Sequence, residues 1–161
     1  MKLASLLIAT ILCGSAYAGN HEETASNAAN AKLFFEAFLA GEQVPAKRLI
    51  HDDFTFVYKG RTRISNQVQD KDSYFGGYWA SLSRELLPDG FTKFEFLRSV
   101  AEKDRVVWFA EGDAEGINGR YDNEYVFVFE FSEGKILSIA EYNSDLMVAT
   151  RLYRQKLVPD D

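Results

Sequence analysis

Between Asn118 and Asp145 the chain reads NGRYDNEYVFVFEFSEGKILSIAEYNSD, and no other stretch leaves the fold so little choice. Asn123, Tyr125, Phe127, Phe129 and Phe131 alternate with Glu124, Val126, Val128 and Glu130, a period of two that marks a strand with two distinct faces. Ser132-Glu133-Gly134 reads as a three-residue turn with Gly134 in its left-handed position. A second alternating strand, Lys135 to Asp145, follows. That loop length sets Phe131 against Lys135, Phe129 against Leu137, Phe127 against Ile139, Tyr125 against Glu141 and Asn123 against Asn143. One face then grades from apolar near the turn to polar at the far end, where Tyr125, Glu141, Asn123, Asn143 and Asp145 gather. A greasy floor with a few aimed polar groups suits a ligand pocket.

Asn118-Gly119 is a two-residue hairpin signal. With Ile117 against Arg120, Trp108 faces Phe129, Ala110 faces Phe127, Gly112 faces Tyr125 and Ala114 faces Asn123. These small residues leave room beside the polar end. The reverse face carries Val107, Phe109, Val126, Val128, Ala140 and Tyr142. That is more apolar surface than a strand turned to water needs, and it predicts a homodimer through Phe109, Val126, Val128 and Tyr142.

Upstream of these strands the pattern is helical. Gly19 to Asn30 is polar and reads as a flexible tail. Leu33, Phe34, Ala37 and Phe38 form one stripe of a helix ending at Gly41, and Pro45 opens a short second helix through Ile50. His51-Asp52-Asp53 reads as a turn, Phe54 to Tyr58 as a strand, and Lys59 to Gln69 as irregular. Asp70 or Asp72 caps a third helix whose Tyr74, Phe75, Tyr78, Trp79, Leu82 and Leu86 keep helical spacing despite Gly76-Gly77. Pro88-Asp89-Gly90 stops it, and strands follow from Phe91 to Ala101 and from Arg105 to Ile117. Helices gathered before a run of strands predict an α+β domain.

The opening MKLASLLIATILCGSAYA has one Lys, a short apolar run and an Ala16-Tyr17-Ala18 end, the make-up of a signal peptide spanning residues 1–18. The expected site of action is therefore the periplasm or the cell exterior. The residues before Cys13 lack the small side chains that lipoprotein processing prefers. Cleavage after Ala18 would leave no cysteine and move the net charge from −6 to −7 with the loss of Lys2. An acidic chain without basic clusters excludes nucleic acid as an expected partner. No later apolar run approaches the ~20 residues a membrane span needs. With His51 the one histidine beyond the tail's His21, no zinc-ligand cluster is readable, and neither metal nor cofactor is expected.

The first helix ending in LAGE, the segment IHDDFTF, the aromatic third helix and above all GRYDNEYVFVFEFSEGKILSIAEYNSD resemble the SnoaL-like branch of the nuclear transport factor 2 superfamily. The resemblance covers about residues 31–157, leaving 158–161 as a tail. It implies a cone-shaped, curved, mixed or antiparallel sheet wrapped around three N-terminal helices. That scaffold serves isomerases, cyclases, dehydratases, epoxide hydrolases and binding modules alike. The ketosteroid isomerases of this superfamily have a catalytic Asp and an oxyanion-hole Tyr and Asp. By offset those positions fall here on Tyr58, Phe34 and near Phe127, so steroid isomerisation by that mechanism is not expected.

The residues themselves offer Glu141 as a general acid/base, because an apolar cavity raises a carboxyl pKa into a useful range. Tyr125 is its orienter or donor and Asp145 a second carboxylate about 13 Å along the strand. The competing reading pairs Glu141 with a buried cation such as Arg98 or lets it reach solvent. Tyr58, Trp79, Asn123, Asn143, Phe127 and His51 complete the candidate ligand-binding set, the alternative for the aromatics being plain core filling. Two functions follow from this set. One is binding of a small apolar molecule with acid/base isomerisation, cyclisation or hydration. The other is a non-catalytic ligand-binding or dimerising module.

Overall fold

The structure is a computed structural model that describes residues 12–158, with side chains from Glu22 onward. The expected signal peptide falls outside the described residues or on positions described only as backbone. Helix α1 (Leu12–Leu39) leads to α2 (Gln43–Arg48), β1 (Ile50–Lys59) and β2 (Val68–Asp70). A helical stretch over residues 71–86, α3, comes next, followed by β3 (Phe91–Glu102), β4 (Arg105–Gly116), β5 (Gly119–Ser132) and β6 (Lys135–Tyr142). A last helical stretch, α4, covers residues 145–152. The strands form one open, curved six-stranded sheet in the order β2-β1-β6-β5-β4-β3. β1 runs parallel to β6 and every other pair is antiparallel. α1 and α3 fill the concave side, giving the α+β cone expected.

Local chemistry sets the boundaries. Gly41 takes φ +72°, Glu42 N–H donates to Ala37 O at 2.8 Å and Gly41 N–H donates to Phe38 O at 3.0 Å, the doubled bonds of a glycine-terminated helix. Of the two candidate caps for α3, Asp70 accepts from Ser73 N–H at 2.9 Å. The segment Gly19–Asn30, read from sequence as a flexible tail, is part of α1, and Asn27 is buried where it donates to the Lys103 carbonyl on the β3–β4 turn. His51–Asp53 belong to β1 rather than to a turn, at an irregularity in its pairing with β6 between Ile50 and Thr55.

Over most of their length both hairpin registers differ from the expectation by two residues. The β5–β6 turn has two residues, not three: Ser132 pairs with Lys135, with Glu133 at φ 53° and Gly134 at φ 73°, the left-handed pair of a tight hairpin turn. A bulge at Leu137 then widens the one-residue offset at the turn to two, so Phe129 faces Ile139 and Phe127 faces Glu141. In the β4–β5 hairpin Gly116 pairs with Gly119, so Trp108 faces Phe127, Ala110 faces Tyr125 and Gly112 faces Asn123. A two-residue slip keeps every side chain on its face. Inside and outside therefore stand as read, while neighbours change.

Candidate functional site

The inner face of the sheet leaves a cavity of about 260 Å³ between α3, α4 and the far halves of β5 and β6, just under the ~300–1,000 Å³ usual for ligand pockets. Its walls are largely aromatic, and among the described residues they carry one carboxyl group, Glu141, and no Lys, Arg or His. The room comes from α3 rather than from the small residues of β4. A side chain added at Gly112 would strike the Phe91 and Phe94 rings, whereas one at Gly77 would meet nothing within 4 Å.

α3 earns its position through wide turns. Trp79 N–H donates to Tyr74 O and Leu87 N–H to Leu82 O, each five residues back. Such π-type turns recur at functional sites. Here the first one carries Tyr74 and Tyr78, whose rings stack at 5.7 Å, onto the cavity wall. The Tyr78 hydroxyl donates to Glu141 Oε2 at 3.1 Å, and Asn143 Nδ2 donates to Glu141 Oε1 at 2.8 Å. Glu141 is 8% exposed. Burial pushes its carboxyl up to about 7, against the lowering pull of these two hydrogen bonds. No cation pairs with it among the described residues. Arg98, the partner considered from sequence, lies with its guanidinium 4.4 Å from the Phe109 ring on the outer face.

Tyr125 and Glu141 line the same cavity but are not the directly opposed pair expected. Tyr125 is 4% exposed; its ring stacks on Phe127 at 5.5 Å, and its hydroxyl, beside Tyr121, finds no partner of hydrogen-bonding geometry. The same is true of Asn143 Oδ1. Burial holds the Tyr125, Tyr78 and Tyr58 phenols well above their ordinary value, so all three keep their protons and act as donors.

The remaining candidates divide. Tyr58 lines the cavity next to Glu141 in the β1–β6 pairing, and Phe127 and Asn143 line it too. Asp145 does not. β6 ends at Tyr142, Ser144 caps α4 by accepting from Met147 N–H, and Asp145 falls in the first turn of that helix. Its carboxylate accepts from the Tyr58 hydroxyl at 2.6 Å and from Arg61 N–H at 2.7 Å. It ties the loop after β1 to α4. Trp79, 3% exposed, packs against Phe38 and Phe75 at 4.4 and 5.1 Å and belongs to the core. Asn123 Oδ1 accepts from Ser144 N–H and its amide donates to the Tyr121 hydroxyl, fixing the strand exit from behind the cavity. His51 Nδ1 accepts from Asp53 N–H, away from the cavity. Tyr78 emerges as the direct partner of Glu141. Tyr121 joins the wall without having been singled out, though its place two residues before Asn123 puts it on the inner face.

A SnoaL-like domain model matches residues 31–139, more than half the chain. The chain belongs to the SnoaL-like domain family. A search of curated proteins returned no match. Among solved structures, this SnoaL-like protein is similar to Bal32a from a soil-derived mobile gene cassette, with 24% identity and a TM-score of 0.70 over 82% of this chain and 99% of that one. It also resembles an NTF2-like protein from Burkholderia xenovorans LB400 (19% identity, TM-score 0.62, 80% and 97% covered). A third is an LEH-like epoxide hydrolase of M. tuberculosis (16% identity, TM-score 0.63, 82% and 92% covered). At these identities the likeness establishes the nuclear transport factor 2-like cone and nothing finer.

Proposed function

We propose that this protein binds a small, largely apolar molecule in its cone and performs acid/base chemistry on it, an isomerisation, cyclisation or hydration, through Glu141. One observation carries the reading: a carboxyl group with no cation partner among the described residues, held by Tyr78 and Asn143, opens onto a cavity rich in aromatic side chains and otherwise uncharged, with its pKa moved to about 7. A general acid or base works best when its pKa lies near the operating pH. Tyr125 serves as the donor that orients the bound molecule, and Asp145 positions Tyr58 rather than touching substrate. That one relative of the same fold is an epoxide hydrolase agrees with hydration as one outcome.

Buried Phe34 and Phe127, which by sequence offset fall at and near positions where the superfamily's ketosteroid isomerases carry catalytic groups, favour the second reading, a binding module without turnover. Native mass spectrometry of freshly purified wild type and Glu141→Gln separates the two. Acid/base catalysis predicts different small-molecule adducts, substrate on the variant and product or nothing on the wild type. Identical adducts would favour binding alone.

We further propose export, on the signal-like residues 1–18, and a homodimer through the outer sheet face. There Phe109 pairs with Val126, and Val126 in turn with Tyr142, which is 46% exposed. Phe109→Glu should turn a dimer into a monomer in size-exclusion chromatography. An unchanged elution volume, or a monomeric wild type, would end that idea.

A further inference from the structure

Two polar atoms of the cavity wall ask for a chemistry that Glu141 does not supply. The Tyr125 hydroxyl, close to Tyr121 but outside hydrogen-bonding geometry with it, and Asn143 Oδ1 are closed off from solvent and make no well-formed hydrogen bond in the protein, a state that native structures rarely leave unmet. The hydroxyl carries a proton to donate, and the amide oxygen can only accept. The Asn143 amide nitrogen is spent on Glu141, which leaves its oxygen as the free atom. Val126 pairs with Tyr142, the last residue of β6, so Tyr125 and Asn143 are their chain neighbours at the open end of the hairpin, and both line the cavity.

We propose that the cavity takes a neutral hydroxyl-bearing ring compound, its hydroxyl oxygen accepting from Tyr125 and donating to Asn143 Oδ1. This rests on the reading of the cavity as a ligand site. The alternatives each leave something unmet. A carbonyl or ether oxygen would leave the Asn143 oxygen unmet, and an N–H group without a lone pair would leave the Tyr125 proton unmet. A carboxylate would accept from Tyr125 but face the Asn143 oxygen in a wall that holds no cation among the described residues, and a buried charge without a partner is strongly disfavoured. The body of the molecule meets Phe35, Phe38, Tyr74, Phe94 and Phe127, faces that favour a flat apolar ring.

Three probes of one shape test this: 2-naphthol, 2-methylnaphthalene and 2-naphthoate, titrated into the full protein by calorimetry at about pH 6, where a phenol is neutral and a carboxylic acid ionised. The wild type should bind 2-naphthol about tenfold or more tighter than 2-methylnaphthalene, because a site built around a hydroxyl rejects the analogue lacking it. It should bind 2-naphthoate most weakly. Tyr125→Phe should bring 2-naphthol down to the level of 2-methylnaphthalene while leaving the latter unchanged, which also shows the variant is folded. Glu141→Gln should keep the preference. Equal binding of the first two probes, no binding of any, naphthoate binding as well as naphthol, or a preference that survives Tyr125→Phe would each overturn the proposal. So would a preference lost in Glu141→Gln alone, which would move the hydroxyl to Glu141. An ordinary Glu141 pKa would instead sink the acid/base reading and leave this selectivity standing.

Discussion

The two ends of β5 share one alternation and one face, yet one end is solid and the other open. Near the β5–β6 turn, Phe129 and Phe131 are buried with Ile136 and Ile139, and α1 drives Phe35 into contact with Phe127 and Phe129 at 4.2 and 5.5 Å. At the far end the same face carries Tyr121, Tyr125 and, from β6, Glu141, and the element opposite is α3, with its wide turns and Gly77. The contrast teaches that a strand's pattern decides which side faces inward, whereas the helix opposite decides whether that inward side becomes core or cavity.

Five substitutions sharpen or break that contrast. Phe129→Ala at the solid end should cost about 3–5 kcal/mol of stability, read by urea unfolding. Tyr125→Phe at the open end should change it by no more than about 1 kcal/mol, since the hydroxyl lost has no partner. Equal losses would mean the far end is packed as tightly as the near one.

The next effect is a dependence on pH. Glu141 ionises near 4.5 in the unfolded chain but near 7 in the fold. Between those values the native state holds the extra proton, so stability present below about 4.5 is lost as pH rises to about 7, by roughly 3 kcal/mol in all. Glu141→Gln should remove that slope between about pH 4 and 8; an unaltered slope would assign it to other groups.

Tyr58→Phe deletes the 2.6 Å bond to half-buried Asp145 and should cost about 1 kcal/mol. Faster amide exchange at Arg61, whose N–H rests on the same carboxylate, would show the loop loosening. No change there would mean Asp145 does not hold the loop. Smallest of all, Gly77→Ala should stabilise by up to about 1 kcal/mol, because an added methyl meets open space in a helical stretch. A loss instead would show that the wide turn itself requires glycine.

Much of this was legible beforehand. Alternation alone separated Phe127, Phe129 and Glu141 from Val126, Val128 and Tyr142, and it placed Tyr125, Asn143 and Glu141 on one inner face. Neighbours were harder to read. A two-residue turn at Glu133-Gly134 and a bulge at Leu137 leave no mark in a period-two pattern, so the pattern alone sets Tyr125 against Glu141 where the fold places Phe127. The alternation continues through Asn143, so by pattern alone Asp145 reads as a strand residue. The Ser144 cap that turns the chain into α4 was the available signal. Trp79 and Tyr78 are adjacent on one helix, and only the wide turn at residues 74–78 decides that Tyr78 reaches the carboxylate while Trp79 enters the core.

The central claim concerns the protonation of one buried carboxyl group, and carbon-13 NMR of the side-chain carboxyls across a pH series measures it directly. Glu141 should titrate near 7, well apart from the exposed carboxylates. A midpoint near 4.5, the value of an ordinary glutamate, would contradict a desolvated acid/base facing the cavity.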